Sequence, residues 1–161
     1  MTIQTGQPLP DVPLIVVDGG ERQNTRSGEL FAGRRVVMFA VPGAFTPTCS
    51  EKHLPGFVAQ FDGFRARGFE VFCLSVNDAF VMQAWGQAQD VPPGLKMLAD
   101  GNGEFTRALG LELDGSAYGM GLRARRFALV AEDGVVTALA VEAPGEFRVS
   151  AAEAMLEAVG G

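Results

Sequence analysis

Cys49 is the residue whose type and position best fit chemistry at sulfur. It follows a charge-free apolar run, 36–41, and the dipeptide Pro42-Gly43. The run fits a strand buried on both faces, which Pro-Gly then ends. Thr46 fits a helix N-cap, so Cys49 falls in the first helical turn, where free N–H groups and the helix dipole favour an anion. A thiol placed there should ionise more readily than a free one, and the thiolate is the nucleophile.

The alternative is that Cys49 is one more buried apolar residue, as many free cysteines are. Its neighbours in sequence are polar or charged, however: Thr46, Thr48, Ser50, Glu51, Lys52 and His53. A strand, a Pro-Gly loop and a hydroxyl-rich helix start are typical of the carboxyl edge of an α/β sheet, where functional groups are presented. The pattern therefore favours a reactive thiol.

Three stretches of the chain resemble the peroxiredoxins, in particular the type II (five-like) subfamily. They are PGAFTPTCSEKHLPGF at 42–57, SVNDAFVMQAW at 75–85 and RARRFAL at 123–129, and the likeness extends over nearly the whole chain. The resemblance implies a thiol-dependent peroxidase that reduces hydrogen peroxide and alkyl hydroperoxides, with the Cys49 thiolate oxidised to sulfenic acid.

Arg126 matches the family's active-site arginine, at the start of a predicted strand. The resemblance implies that its fixed cation favours the Cys49 thiolate and donates to peroxide oxygens. Judged from composition alone, an arginine near a strand end is a solvated charge, and Arg123 and Arg125 lie beside it.

Thr46 lies one helical turn before Cys49, so its hydroxyl can reach the sulfur or a bound peroxide oxygen, and it can equally be a plain N-cap. The resemblance implies that Pro42 shields the thiolate from water; the alternative is that it only ends the strand. His53 lies four residues after Cys49 on the same helix face. It would support the thiolate as an imidazolium, but a structural hydrogen-bonding role is the preferred interpretation.

Cys73 is the one internal candidate for a resolving cysteine, and plant-like type II members carry such a residue near this place. It lies in the apolar stretch 69–76, so a core thiol is the preferred interpretation. A disulfide needs Cα atoms within ~7 Å, which a helix start and a buried strand are not expected to offer to Cys49. We therefore expect an external reductant, either glutathione with glutaredoxin or thioredoxin.

Composition restricts the remaining function classes. The 161 residues are best explained as one domain, 1–161, and the net charge of −6 argues against a nucleic-acid partner. No apolar run approaches a membrane span, and the N-terminus lacks an export signal, so cytoplasmic localisation is expected. A single histidine, no zinc-type cysteine pair and no phosphate-binding glycine motif predict neither metal nor cofactor.

The order of predicted elements indicates an α/β fold with a mixed central sheet and helices on both faces. The predicted strands are 14–17, 36–41, 69–76, 96–99, 126–131 and 135–141. The predicted helices are 27–31, 46–67 with a kink at Pro55, 79–89 capped by Asn77-Asp78, 104–109, and 151–159 capped by Ser150. Residues 111–121 are predicted to form a glycine-rich surface loop. The resemblance implies a thioredoxin-like fold.

The resemblance also implies a homodimer formed through loops around the active site. The sequence adds that 110–121, with Tyr118 and Met120, is an apolar-tipped loop in an acidic protein. The alternative function is a redox sensor that uses Cys49 without turnover. A thiol–disulfide oxidoreductase is disfavoured because the chain has no C-x-x-C motif.

Overall fold

The computed structural model describes residues 2–160 of the chain. The strands in this range are β1 Pro13–Asp18, β2 Glu21–Arg26, β3 Arg35–Ala40, β4 Glu70–Ser75, β5 Leu95–Ala99, β6 Glu112–Asp114, β7 Leu122–Ala124, β8 Phe127–Glu132 and β9 Val135–Val141. The helices are α1 Ser27–Phe31, α2 Leu54–Ala59, α3 Phe61–Ala66, α4 Ala79–Ala88, α5 Glu104–Leu109 and α6 Ala152–Ala158. A π-helical turn spans Cys49–His53 and a 3₁₀ turn spans Ser116–Tyr118.

A mixed sheet has the strand order β2-β1-β5-β4-β3-β8-β9. Its central strands β3, β4 and β5 are parallel, whereas β1 and β8 run antiparallel to β5 and β3. Because β8 is antiparallel to β3, it begins at the edge where β3 ends, and Ala40 is registered with Phe127. The residues after β3 and before β8 therefore meet at one edge. Within residues 2–160, no helix combines the length and apolarity needed to cross a bilayer.

The central strands bury both faces, as their uninterrupted apolar sequence predicts. Val37 and Phe39 of β3 point into a core shared with residues of α2, α3, α4 and α6. Val36 and Met38 point into a second core, shared with residues of α1 and α5. The predicted mixed sheet with helices on both faces is confirmed.

The extent of the predicted helix 46–67 is confirmed, since the chain is helical over 47–59 and 61–66, but the predicted kink at Pro55 is wrong. The chain instead makes the π-helical turn 49–53, in which the Leu54 N–H donates to the Cys49 carbonyl. The α-helix α2 then starts at Leu54, which leaves Pro55 in its first turn, where a missing N–H costs least. A second break at Gln60 separates α2 from α3. The proline is thus accommodated by a wider turn ahead of it, not by a kink within one helix.

Three strands, β2, β6 and β7, lie outside the predicted elements. Strand β2 shows no apolar alternation, because it is an edge strand with little buried surface. The stretch 111–121 is more than a loop, because β6 within it pairs with β7.

The predicted cap of the last helix is also wrong. Helix α6 begins at Ala152, and the Ser150 hydroxyl donates to Glu142 over 2.7 Å instead of capping the helix. The cap of α4 is confirmed for Asp78, which accepts the Val81 N–H over 2.8 Å.

Candidate active site

Cys49 lies beyond the carboxyl end of β3, in the π-helical turn. Its side chain is 0% exposed and belongs to the core beneath α2 and α4. Burial alone would fit a structural thiol. The contact with a guanidinium does not, because the Arg126 Nη2 lies 3.1 Å from the Cys49 Sγ and donates to it. A fixed cation beside a buried sulfur stabilises the thiolate over the thiol.

Arg126 reaches the sulfur because it precedes β8 directly, at the sheet edge where β3 ends. Its two terminal nitrogens have different partners: Nη2 donates to Cys49, and Nη1 contacts the His53 Nδ1 at 2.8 Å. Arg123 instead donates to the carbonyls of Met120 and Val76. Of the three neighbouring arginines in the sequence, the structure brings Arg126 to the cysteine.

His53 is buried, and its contacts fit a neutral imidazole. Its Nε2 lies 2.9 Å from the Ser150 carbonyl, which can only accept, while its Nδ1 faces a guanidinium, which can only donate. The proton is therefore on Nε2. Burial, followed by the charge of Arg126, lowers the pKa of His53 from 6.5 to about 3. These contacts fit the preferred structural hydrogen-bonding role of His53 and do not favour an imidazolium beside the thiolate.

The loop between β3 and the π-helical turn is held in a tight conformation. Thr46 Oγ1 donates to the Gly43 carbonyl over 2.6 Å and does not cap the helix, although the Thr46 carbonyl accepts the Ser50 N–H. Phe45 has φ of 64°, a left-handed conformation that costs a residue with a Cβ about 1–2 kcal/mol. Pro42, at the start of this loop, is partly buried.

A side chain from the next strand end braces this loop. Asn77, which follows β4, accepts the Ala44 N–H over 3.0 Å and the Ser75 hydroxyl. Asn77 was predicted only as part of the α4 cap. Trp85 of α4 similarly donates to the Ser50 hydroxyl over 3.0 Å, which ties the helix to the residue after Cys49.

Cys73 lies in β4, registered with Phe39 of β3, and is 0% exposed. It belongs to the same apolar core as Cys49, and both cysteines are free thiols. Burial raises the pKa of the Cys73 thiol well above its ordinary value, and a charge on Cys49 raises it further. These features fit the preferred interpretation of Cys73 as a core thiol.

No sequence pattern pointed to the segment that covers His53. The Phe147 ring lies 5.0 Å from the His53 ring, centroid to centroid, and its centroid is 6.0 Å from the Arg126 Cζ. Ser150 contacts His53 through its backbone carbonyl, and the type of a residue does not predict such a backbone contact. The buried Glu142, at the end of β9, is the one charged residue here that burial would mark as unusual.

A redoxin family model matches residues 4–156. Peroxiredoxin-2B of Arabidopsis thaliana is 46% identical, with 98% of each chain covered. Peroxiredoxin-2E-2, chloroplastic, of Oryza sativa subsp. japonica is 50% identical, over 98% of this chain and 73% of that protein. The protein in the crystal structure of reduced Prx3 from Vibrio vulnificus in complex with H₂O₂ is 51% identical to this chain, with a TM-score of 0.92. The match covers 98% of this chain and 99% of that one.

A thioredoxin-like sheet with a cysteine and an arginine meeting at its edge is the architecture of a thiol-based redox protein. The chain belongs to the redoxin family and, within it, to the type II peroxiredoxins. It is accordingly a peroxidase that works through a thiol.

Proposed function

We propose that Cys49 is the residue that reduces the peroxide. Its thiolate attacks one oxygen of ROOH, the O–O bond breaks, and the second oxygen takes up a proton and leaves as ROH. The sulfur becomes sulfenic acid, so that Cys49-S⁻ + ROOH + H⁺ gives Cys49-SOH + ROH. Hydrogen peroxide and organic hydroperoxides both fit this scheme, which needs neither a metal nor a cofactor.

The observation that carries the proposal is the 3.1 Å contact between the Arg126 Nη2 and the Cys49 Sγ. A guanidinium in this position favours the thiolate before reaction. It can also donate to the peroxide oxygens, on which negative charge develops as the O–O bond breaks. The contact joins residues 77 apart in sequence, so the fold brings them together.

Thr46 and Pro42 complete the proposed site. Because the Thr46 hydroxyl proton is directed at the Gly43 carbonyl, its oxygen is free to accept a hydrogen bond from the peroxide O–H. Phe45 and the brace from Asn77 support this role, since they fix the loop before substrate binds. The partly buried ring of Pro42 would keep water from the thiolate.

We further propose that an external thiol regenerates Cys49. Attack of that thiol on the sulfenic acid gives a mixed disulfide and water, and a second thiol then releases Cys49. Glutathione with glutaredoxin, or thioredoxin, can supply both thiols. The raised pKa of Cys73 and its complete burial support an external reductant, because the attacking species must be a thiolate. A supply of reduced thiols is typical of the cytoplasm, the proposed location.

A homodimer is proposed from the surface around the site. Phe45 is 56% exposed and Tyr118 is 84% exposed. Their loops adjoin, because a Cβ on Gly43 would come within 3.4 Å of the Met120 Cε. Apolar side chains gathered beside an active site are typical of an interface.

The test is hydrogen peroxide consumption by Cys49→Ser and Cys73→Ser, with dithiothreitol and then glutathione with glutaredoxin as reductants. We expect Cys49→Ser to lose peroxidase activity and Cys73→Ser to keep it with either reductant. Full activity in Cys49→Ser would disprove the proposal. Oxidation of the parent protein once, without turnover under any thiol reductant, would favour the redox sensor instead.

A further inference from the structure

We propose that Glu142 is a positioning residue for Arg126. It would act through the Ser150 carbonyl and the His53 ring, so that a carboxylate separated from the sulfur by three residues decides whether the guanidinium faces Cys49. The inference rests on the proposed role of Cys49. It concerns a residue that makes no contact with the sulfur itself.

The first step is the anchoring of segment 143–150 by one carboxylate oxygen. Glu142 is 3% exposed, and its Oε2 accepts the Arg148 N–H at 2.7 Å, the Ser150 N–H at 2.8 Å and the Ser150 hydroxyl at 2.7 Å. Hydrogen bonds to an ionised acceptor are the strong kind. They outweigh the burial that by itself raises the pKa of Glu142, so this pKa lies below its ordinary value. The turn before α6 is therefore fixed by a charge.

The second step leads from Ser150 to His53. Fixing the Ser150 amide also fixes the next peptide, whose carbonyl accepts from the His53 Nε2 over 2.9 Å. The rings of Phe39 and Phe147, each 5.0 Å from the imidazole centroid, hold the ring from two sides. The carbonyl thus selects the tautomer, and packing selects the ring orientation.

The third step leads from His53 to the sulfur. With its proton on Nε2, His53 offers the Nδ1 lone pair to the Arg126 Nη1 at 2.8 Å, and Nη2 then points at Cys49. If the Ser150 carbonyl moved away, the ring could carry its proton on Nδ1. An N–H would then face a guanidinium N–H, and two donors repel, which would turn Arg126 away from the sulfur.

The pairing of β8 with β9 also brings Glu142 next to Arg126. Its backbone N–H donates to the Arg126 carbonyl over 3.0 Å, one step beyond the registered pair Phe127 and Val141. The same residue therefore holds the backbone of Arg126 directly and its side chain through His53.

The test compares Glu142→Ala with Glu146→Ala, which removes the same charge from an exposed position in the same segment. Two quantities are measured in folded protein: the rate of sulfenic acid formation with hydrogen peroxide, and the pH midpoint of Cys49 alkylation by iodoacetamide. We expect Glu142→Ala to lower the rate about 10-fold, as expected for loss of a residue that orients a catalytic group, and to move the alkylation midpoint to higher pH. Glu146→Ala should match the parent.

A double-mutant cycle with His53→Ala tests the route. If Glu142 acts through His53, Glu142→Ala should change the rate less than about 2-fold once His53 is absent. An equal effect in both backgrounds, or a folded Glu142→Ala that matches the parent, would overturn the inference. Should Glu142→Ala not fold, Ser150→Ala takes its place in the same cycle with the same criteria. Failure of the proposed function would instead show as peroxidase activity in Cys49→Ser.

Discussion

At the scale of the residue, Arg126 has two tasks that one planar fork can perform together. Its Nη2 contacts the Cys49 sulfur while its Nη1 contacts His53, and the two nitrogens are fixed relative to each other. A lysine ammonium carries the same charge on a flexible stem and cannot reproduce this geometry. Charge and geometry can therefore be separated by substitution.

We predict that Arg126→Ala slows the reaction with hydrogen peroxide by ~10²–10³-fold, because a donor to the developing charge is lost. Arg126→Lys should fall between Arg126→Ala and the parent, since it keeps the charge but not the fork. Stopped-flow mixing of reduced protein with peroxide measures both rates. Arg125→Ala is the matched control and should react at the parent rate. If Arg126→Ala reacted at the parent rate and Arg125→Ala reacted slowly, Arg125 would be the active-site arginine and the prediction would be wrong.

His53 leads to a prediction about how stability depends on pH, because it is the chain's one histidine and its pKa in the folded protein is about 3. Unfolded histidine binds a proton below about pH 6.5, whereas the folded protein does not until about pH 3. The unfolded state thus binds more protons in this window. Stability that is fully present above pH 6.5 is lost as the pH falls, by up to ~1.4 kcal/mol per pH unit.

Urea unfolding between pH 7.5 and 5.0 measures this dependence, in a range where most carboxylates stay ionised. We expect the free energy of unfolding to fall with pH in the parent protein. His53→Gln should show a flatter dependence, because the group that takes up the proton on unfolding is gone. The same slope in both proteins would mean that His53 is protonated in the folded state.

At the scale of the element, the strands formed by apolar runs could be predicted from sequence. The elements that depend on contacts with the rest of the fold could not. Strands β3 and β4 were recognisable because they bury both faces. Strand β2 was not, because its side chains are mostly exposed at the sheet edge. Pro55 predicted an irregularity in the helix. A missing N–H can be accommodated by a kink or by a wider turn, and the structure has the wider turn.

Some parts of the active site could be predicted from local sequence, and others could not. The position of Cys49 at a strand end followed from local sequence, but Arg126 was found through family resemblance, since 77 residues separate the two. The hydrogen bond from His53 to the Ser150 carbonyl spans 97 residues and uses a backbone atom. Such a partner carries no residue-type signal, so only the structure identifies it.

The π-helical turn 49–53 also bears on the fate of Cys73. A bond between the two sulfurs would compete with the 3.1 Å contact of the Cys49 Sγ with the Arg126 Nη2, and any opening of the turn would also break the bond from Trp85 to the Ser50 hydroxyl. We therefore predict no Cys49–Cys73 disulfide after one equivalent of hydrogen peroxide. With glutathione present, the product should instead be a mixed disulfide on Cys49.

Mass analysis under non-reducing conditions distinguishes these products, and the fluorescence of Trp85, the chain's one tryptophan, follows the turn. Parent and Cys73→Ser should give the same fluorescence change on oxidation. A quantitative loss of two mass units, with a fluorescence change absent from Cys73→Ser, would establish Cys73 as the resolving cysteine.

At the scale of the whole molecule, the apolar surface beside the site stands out in a protein of net charge −6. The tip of the loop between β6 and β7 carries Tyr118, which is 84% exposed. Arg123 fixes the base of this loop by donating to the Val76 carbonyl, at the end of β4. The loop is therefore held against the sheet edge that bears the active site, with an aromatic ring directed outward.

We predict that this surface forms a homodimer and that Tyr118→Glu dissociates it, because a desolvated carboxylate at an interface is costly. Val135→Glu is the matched control, since it adds the same charge to an exposed apolar position at the start of β9, beside the far end of β8. Light scattering at micromolar concentration should give a dimer mass for the parent and Val135→Glu and a lower mass for Tyr118→Glu. A monomer mass for the parent would contradict the prediction. If Tyr118→Glu dissociates but reacts with peroxide at the parent rate, each protomer carries a complete site. A slower rate would mean that the dimer holds the loop of Thr46 in place.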